Sequence, residues 1–391
     1  MLFALTEEQR ALQDAVRSYL HNRGPALARA VYEDPDGDGV PAELWKATGE
    51  QGWLAVLVPE HHDGLGLGLL DAVVLARAFG AGTVPGPWLS TVLLGEALRL
   101  AGSPGQQTAW LPRIAAGEVK GAVALLRPGA SPAPAGAPAT AAGGALTGTL
   151  ELVDYAEVAE VLLVAAADGL YLVDPSAGGV TITGQQALDR TTRLATVELA
   201  GAPGERLAMS SGPVLQEILD RAAVLVAADL VGIARKALTD TVEYDKTRVQ
   251  FGKPVGSFQA IKHDLADLHV AVTMAEHAAL YAAHAIDTGA PDADLAVSIA
   301  KSKAADTAAK ATSDMIQYHG GIGYTWEHDA HFYFKRAKRL QYAYGDASQH
   351  SERIACLLID GAAPPTGGVT GVMPGGSQSV QGTGVAAGAV L

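Results

Sequence analysis

The most constraining feature of the chain is an apolar stripe that begins after Pro213 and does not break until about Thr247. Leu215, Ile218, Ala222, Leu225 or Val226, Val231 or Gly232, and Ile233 recur at the three- and four-residue spacing of one helix face. Pro213 suits a first helical position, with Gly212 or Ser211 as the cap. At the α-helical rise the stripe predicts a helix of roughly 50 Å, which needs other long helices to cover it. Two follow, from Ser257 to about Asp287 and from Asp292 to Tyr318, with His319-Gly320-Gly321 closing the second. A shorter one lies near Ser348–Asp360. Long helices with short connectors predict an antiparallel four-helix bundle over residues 213–360.

The preceding chain has two other textures. Residues 1–118 read as a helical domain. Thr6 with Gln9 forms a capping-box pattern ahead of an amphipathic run from Leu5 to Leu20, and further helical runs surround Leu44–Trp45 and span Leu70 to Phe79. The glycine-punctuated segment Pro59–Gly68 reads as a loop between helices. It lacks the Gly-Lys-Ser/Thr of a Walker loop and the preceding strand of a dinucleotide fold. Residues 119–212 switch to short alternating runs separated by turn residues, with Asp168-Gly169 as a hairpin signal and Pro128–Gly144 as an irregular loop. The expectation is a small antiparallel β domain. Past Gly361 the chain carries no charge and is rich in Gly and Pro, so 361–391 reads as a flexible tail.

Composition narrows the function. A net charge of −14, without a basic cluster, argues against nucleic acid or an anionic membrane as partner. No apolar run reaches the length of a spanning helix, and Met1–Arg10 lack the form of a secretion signal. A single cysteine, Cys356, excludes an internal disulfide and any multi-Cys metal site, and a cytoplasmic location is the default. His61-His62 and His328 with His331 are not completed into a plausible metal set, so no metal site is expected.

Four stretches carry the chemistry. They are Tyr244-x-x-x-Arg248-Val-Gln250-Phe251-Gly-Lys-Pro-Val-Gly-Ser-Phe-Gln259, then Gln317-Tyr-His-Gly320-Gly321-Ile-Gly-Tyr324, then Gly345-Asp346-Ala-Ser-Gln-His350, and Leu57-Val-Pro-Glu60 with its glycine loop. Together, from Thr6 to about Ile359, they resemble the acyl-CoA dehydrogenase family, whose order of helical, β and helical-bundle parts is the order read above. The resemblance implies an α+β fold of that type and FAD as cofactor, held at a subunit interface. The positions matching Arg248, Gln250, Phe251 and Gln259 contact the pyrophosphate and neighbouring parts of a flavin held mainly by the adjacent subunit. Those matching Gln317, Gly320 and Gly321 contact its adenine side. An Arg fork and bare glycine N–H groups suit a doubly charged pyrophosphate.

The implied reaction is α,β-dehydrogenation of a CoA thioester, with a carboxylate removing the α proton while hydride leaves the β carbon for flavin N5. The resemblance puts that base immediately before Gly345, where Tyr344 stands, or ten residues before Gly232, where Ala222 stands. Neither is a carboxylate. The family's flavin-ring motif also departs: Leu126 replaces its threonine and Pro132 its final aspartate, and no tryptophan lies between Trp110 and Trp326. The chain thus keeps the half-site it would lend and loses the half it would use. The expectation is the degenerate partner in a heterotetrameric (α2β2) actinobacterial acyl-CoA dehydrogenase of the sterol side-chain type, completing an FAD site whose base comes from the catalytic subunit. Two alternatives stay open: a self-sufficient dehydrogenase with a displaced carboxylate, Asp346 or less plausibly Asp220, and a flavin-free scaffold. Asp346 also suits the cap of the helix near Ser348.

Overall fold

A computed structural model describes residues 5–21 and 23–360; the tail expected over 361–391 lies outside them. The N-terminal part holds helices α1 (Glu7–Leu20), α2 (Gly24–Glu33), α3 (Ala42–Glu50), α4 (Leu69–Ala81), α5 (Trp88–Ala101) and α6 (Pro104–Ala115). The capping box at α1 forms as read: Gln9 N–H donates to Thr6 Oγ1 at 3.2 Å, and Thr6 N–H to Gln9 Oε1 at 3.1 Å. The glycine loop of 59–68 contains one short helical turn and then delivers the start of α4 to Asp287, whose carboxylate accepts from Leu69 N–H and Leu70 N–H at 2.9 and 3.0 Å. Its role is thus to cap and aim α4, with an acid at the positive end of the helix.

The middle of the chain forms one sheet of seven strands: β1 (Gly121–Ala124), β2 (Ala139–Ala142), β3 (Ala145–Asp154), β4 (Val161–Ala166), β5 (Gly169–Val173), β6 (Val180–Gln185) and β7 (Leu194–Arg206). Strand β2 lies inside the stretch read as irregular loop. Most pairings are antiparallel, including the β4–β5 hairpin at Asp168-Gly169, but β1 runs parallel to β4, and Ala139 of β2 pairs in parallel with Ala166. The reason lies in burial. Side chains alternate across a strand, and β1 and β4 are covered on both faces. Ala122, Leu162 and Val164 enter the β domain's own core, whereas Val123, Val161 and Leu163 enter the core shared with the helices. Strands buried on both sides read as unbroken apolar runs and tolerate parallel pairing.

The third part is helical. Helix α7 (Gly212–Thr247) has Ser211 as its N-cap and Pro213 in its first turn, and it passes beside α8 (Gln259–Thr288) and α9 (Ala293–His319). A two-residue hairpin, β8 (Val249–Gln250) and β9 (Lys253–Pro254), joins α7 to α8, so α8 starts at Gln259 rather than Ser257. Helices α10 (Ala330–Leu340) and α11 (Ala347–Ala355) complete the bundle. Helix α4 presses closely on α7. A Cβ added at Gly232 would stand 2.0 Å from Arg77 O, and one at Gly80 2.0 Å from Asp229 O, so both crossing points require glycine.

Candidate active site

A cavity of about 220 Å³ opens where α5, the sheet and the loop after α10 meet. Leu126, Arg127 and Pro128 line one side, Tyr342, Ala343, Tyr344 and Gly345 the other. The cavity therefore gathers the altered flavin-ring stretch and the altered base position in one place. Gln349 Nε2 ties the two by donating to Gly129 O at 2.9 Å.

The loop bearing Tyr344 is held by its carbonyls. Lys301 on α9, with no exposed surface, donates from Nζ to Gly345 O at 2.6 Å and Gln341 O at 3.0 Å. His350, equally buried, lies 2.9 Å from Tyr344 O through Nε2. Burial, aided by Lys301, pushes this imidazole down to about 3, so it is neutral and its Nε2–H is the donor. Burial likewise brings Lys301 down to about 7 against the pull of Asp346 and Asp306. With these bonds made, Tyr344 and Gly345 adopt left-handed backbone, φ +54° and +94°.

Of the residues read as base candidates, Tyr344 lines the cavity, whereas Ala222, Asp220 and Asp346 do not. Burial, with Asp154 nearby, raises the Tyr344 phenol well above its ordinary value, so it stays protonated. Ala222 is fully buried in the α7 core. Asp346 is the N-cap of α11: Gln349 N–H donates to its Oδ1 at 2.8 Å, and Gln349 Oε1 accepts from Asp346 N–H at 2.9 Å. Asp220 is paired through both oxygens with Arg353 of α11, at 2.5 and 3.0 Å.

The cavity also contains groups that sequence reasoning missed. A β-bulge breaks the β3–β7 register between Leu150 and Val153 and puts Leu152 at φ +56°, leaving Glu151 and Leu152 unpaired at the cavity wall. Glu151 is exposed and forms no ion pair among the described residues. Arg339 of α10 bonds Asp189 at 3.0 Å and Asp154 at 3.2 Å. Burial alone would depress its guanidinium, but the two carboxylates raise it. Helix α10 has no counterpart among the helices expected from the sequence. Lys301, by contrast, had a signal: it shares a buried face with Val297, Ala304 and Ala308 on α9, an unusual place for a lysine.

The residues matched to the lent half-site lie elsewhere. Arg248, the C-cap of α7, is exposed, and its guanidinium has no hydrogen bond or ion pair among the described residues. Gln250, Gln259, Gln317, Gly320 and Gly321 are exposed, and Phe251 is 92% exposed with φ +53°. Two contacts bring the motifs to one end of the bundle: Tyr244 stacks on His319 at 4.5 Å, and Tyr318 Oη donates at 2.6 Å to Asp264, in the second turn of the helix that Gln259 begins. Nothing lies within 4 Å of a Cβ built on Gly320 or Gly321, so their backbone is open to a ligand. Between Lys301 and Gln317 α9 rises about 24 Å, which separates this end from the cavity. Within one chain the two half-sites are not one site. A guanidinium without a partner among the described residues and open glycine backbone, both at this end of the bundle, fit a pyrophosphate.

The chain belongs to the acyl-CoA dehydrogenase family, an oxidoreductase family. The family's N-terminal domain matches residues 6–118 and its C-terminal domain residues 211–357. Acyl-CoA dehydrogenase IpdE2 of Mycobacterium tuberculosis is 36% identical over 334 residues, 85% of this chain and 91% of its own. FadE34 of the same organism is 32% identical over 369 residues, 92% of this chain but 49% of its own length. Among solved structures, the ChsE4-ChsE5 complex from M. tuberculosis superposes with a TM-score of 0.82 at 28% identity, covering 92% of this chain and 99% of that chain. A steroid ACAD, Tcur3481-Tcur3483, gives 0.82 at 30% identity over 91% of this chain and 98% of that one. Among the described residues no helix is long and apolar enough to cross a membrane.

Proposed function

We propose that this chain is the non-catalytic subunit of a heteromeric, FAD-dependent acyl-CoA dehydrogenase, completing a flavin site whose catalytic base belongs to a companion subunit. The observation that carries the reading is Tyr344: a protonated phenol stands where the family's carboxylate is expected, while Asp346 and Asp220 are committed to a cap and an ion pair. The open half-site at the other end of the bundle supports it. There Arg248 would meet the pyrophosphate with its forked donors, Gly320 and Gly321 would offer N–H groups, and Phe251, Gln250, Gln259 and Gln317 would complete the contact. The chemistry the bound flavin supplies is acceptance of a hydride. This chain's part is to hold and orient, with neither proton removal nor hydride transfer assigned to its side chains.

The related steroid ACAD and the two-component ChsE4-ChsE5 complex support a heteromeric assembly acting on a steroid-type or other lipid-derived CoA thioester; an α2β2 stoichiometry and a cytoplasmic location belong to the same proposal. The test is oxidation of acyl-CoA substrates, with an artificial electron acceptor, by the chain alone and after co-expression with companion acyl-CoA dehydrogenase subunits. The reading requires an inactive chain and an active complex. A chain that turns over alone contradicts it.

A second reading, a self-sufficient dehydrogenase, is favoured by Glu151, which places a carboxylate without an ion pair on the wall of the cavity that holds Tyr344. Under it, Glu151→Gln abolishes turnover by the chain alone.

A further inference from the structure

A groove of about 540 Å³ lies between the last turns of α7, the segment following β9 and the first turns of α8. Its walls are apolar, with Leu238 and Val242 from α7 and Leu265 and Ala266 from α8. At its base Asp245 is 1% exposed, and neither carboxylate oxygen has a hydrogen-bond partner. A buried carboxylate without donors is costly and calls for a compensating group. The cationic and titratable residues on the groove do not supply one: Lys246 Nζ is taken by Glu243 at 2.7 Å, and no bond joins Lys262 or His269 to Asp245.

The groove is one end of a larger surface. Ala266, Val270 and Met274 follow at four-residue steps and so form one stripe on α8, with Val270 56% and Met274 57% exposed. A small cation would need the acid alone; an apolar stripe running on for about 12 Å suits a protein surface. We infer that this groove receives a Lys or Arg side chain of a companion subunit, its charged head meeting Asp245 while flanking apolar residues cover Val270 and Met274. This rests on the heteromeric reading above, and it adds a docking point whose Asp245 lies three residues before Arg248 of the proposed flavin half-site.

The test pairs two readouts on Asp245→Asn and Asp245→Ala. In the isolated chain both variants raise the thermal midpoint, because an uncompensated charge is removed. In titrations of the purified companion subunit both weaken association about tenfold or more, since a basic group is left buried without its acid. Association unchanged within twofold overturns the inference and leaves the heteromeric reading standing. A lower midpoint in the isolated chain also overturns it, because Asp245 is then satisfied from within, by Lys262 for example. If the wild-type chain binds no companion subunit, both fall together.

Discussion

Arg353 of α11 grips both oxygens of Asp220 on α7, at 2.5 and 3.0 Å, with the side chains 5% and 8% exposed. The pair fixes the short last helix to the long one and removes an acid close to Ala222 from catalytic duty. Removing one partner leaves the other charged and buried, a loss of about 3–5 kcal/mol. Arg353→Met is therefore expected to lose roughly that stability in urea unfolding of the isolated chain, whereas the double variant Asp220→Leu/Arg353→Met recovers much of it.

If catalysis belongs to the companion subunit, the cavity of this chain is silent. Tyr344→Phe and Glu151→Gln, assayed as the assembled complex, should each leave kcat and KM within about twofold of the parent, since neither touches the proposed reacting centre. A fall of a hundredfold or more with Glu151→Gln would assign it the base.

Arg248 should behave oppositely. Its guanidinium has no partner among the described residues, so Arg248→Ala should leave the isolated chain's stability nearly unchanged. In the complex, loss of a forked, charge-assisted contact to a phosphate is expected to cost about 1.5–3 kcal/mol of flavin affinity. Flavin retained after gel filtration measures it, and Arg248→Lys should restore it only in part.

His350 gives a pH signature. The imidazole is buried neutral, at about 3 in the folded chain against 6.5 for an ordinary histidine. The unfolded chain takes up a proton below 6.5 that the folded chain refuses, so this group's contribution to stability falls as pH drops from about 6.5 towards 3. His350→Gln can still donate to Tyr344 O but does not titrate. Its stability curve should therefore be flatter than the parent's over that window, measured as the difference between denaturant midpoints at each pH.

Much of the bundle was legible because its signals are local. Ser211 and Pro213 mark the start of α7, and the stripe from Leu215 predicted its length. The cap at Thr6 was equally plain. Helix α10 was not seen: its run Ala-His-Phe-Tyr-Phe-Lys-Arg is short and basic, and it is set in place by Arg336 with Asp229 and Arg339 with Asp154 and Asp189. Those partners lie over 100 residues away, beyond any local pattern. The parallel β1–β4 pairing was hidden for the same reason, since register between separated strands leaves no local mark.

At the site, Tyr344 and Leu126, both singled out in the sequence, line one cavity while Pro132 does not, and Asp346 takes the capping role its position suggested. The sequence did not anticipate Glu151, because the bulge that turns it out depends on strand pairing. The ion pair of Asp220 with Arg353 spans two helices and is equally invisible in sequence.

A flavin site built from two unlike chains fixes how much flavin each chain can hold, and counting flavin reads this out. The measurement is bound FAD per chain, by absorbance against protein mass, for this chain alone and for the purified complex. A colourless chain and one flavin per unlike pair are the expected result. One flavin on each copy of this chain purified alone would contradict it.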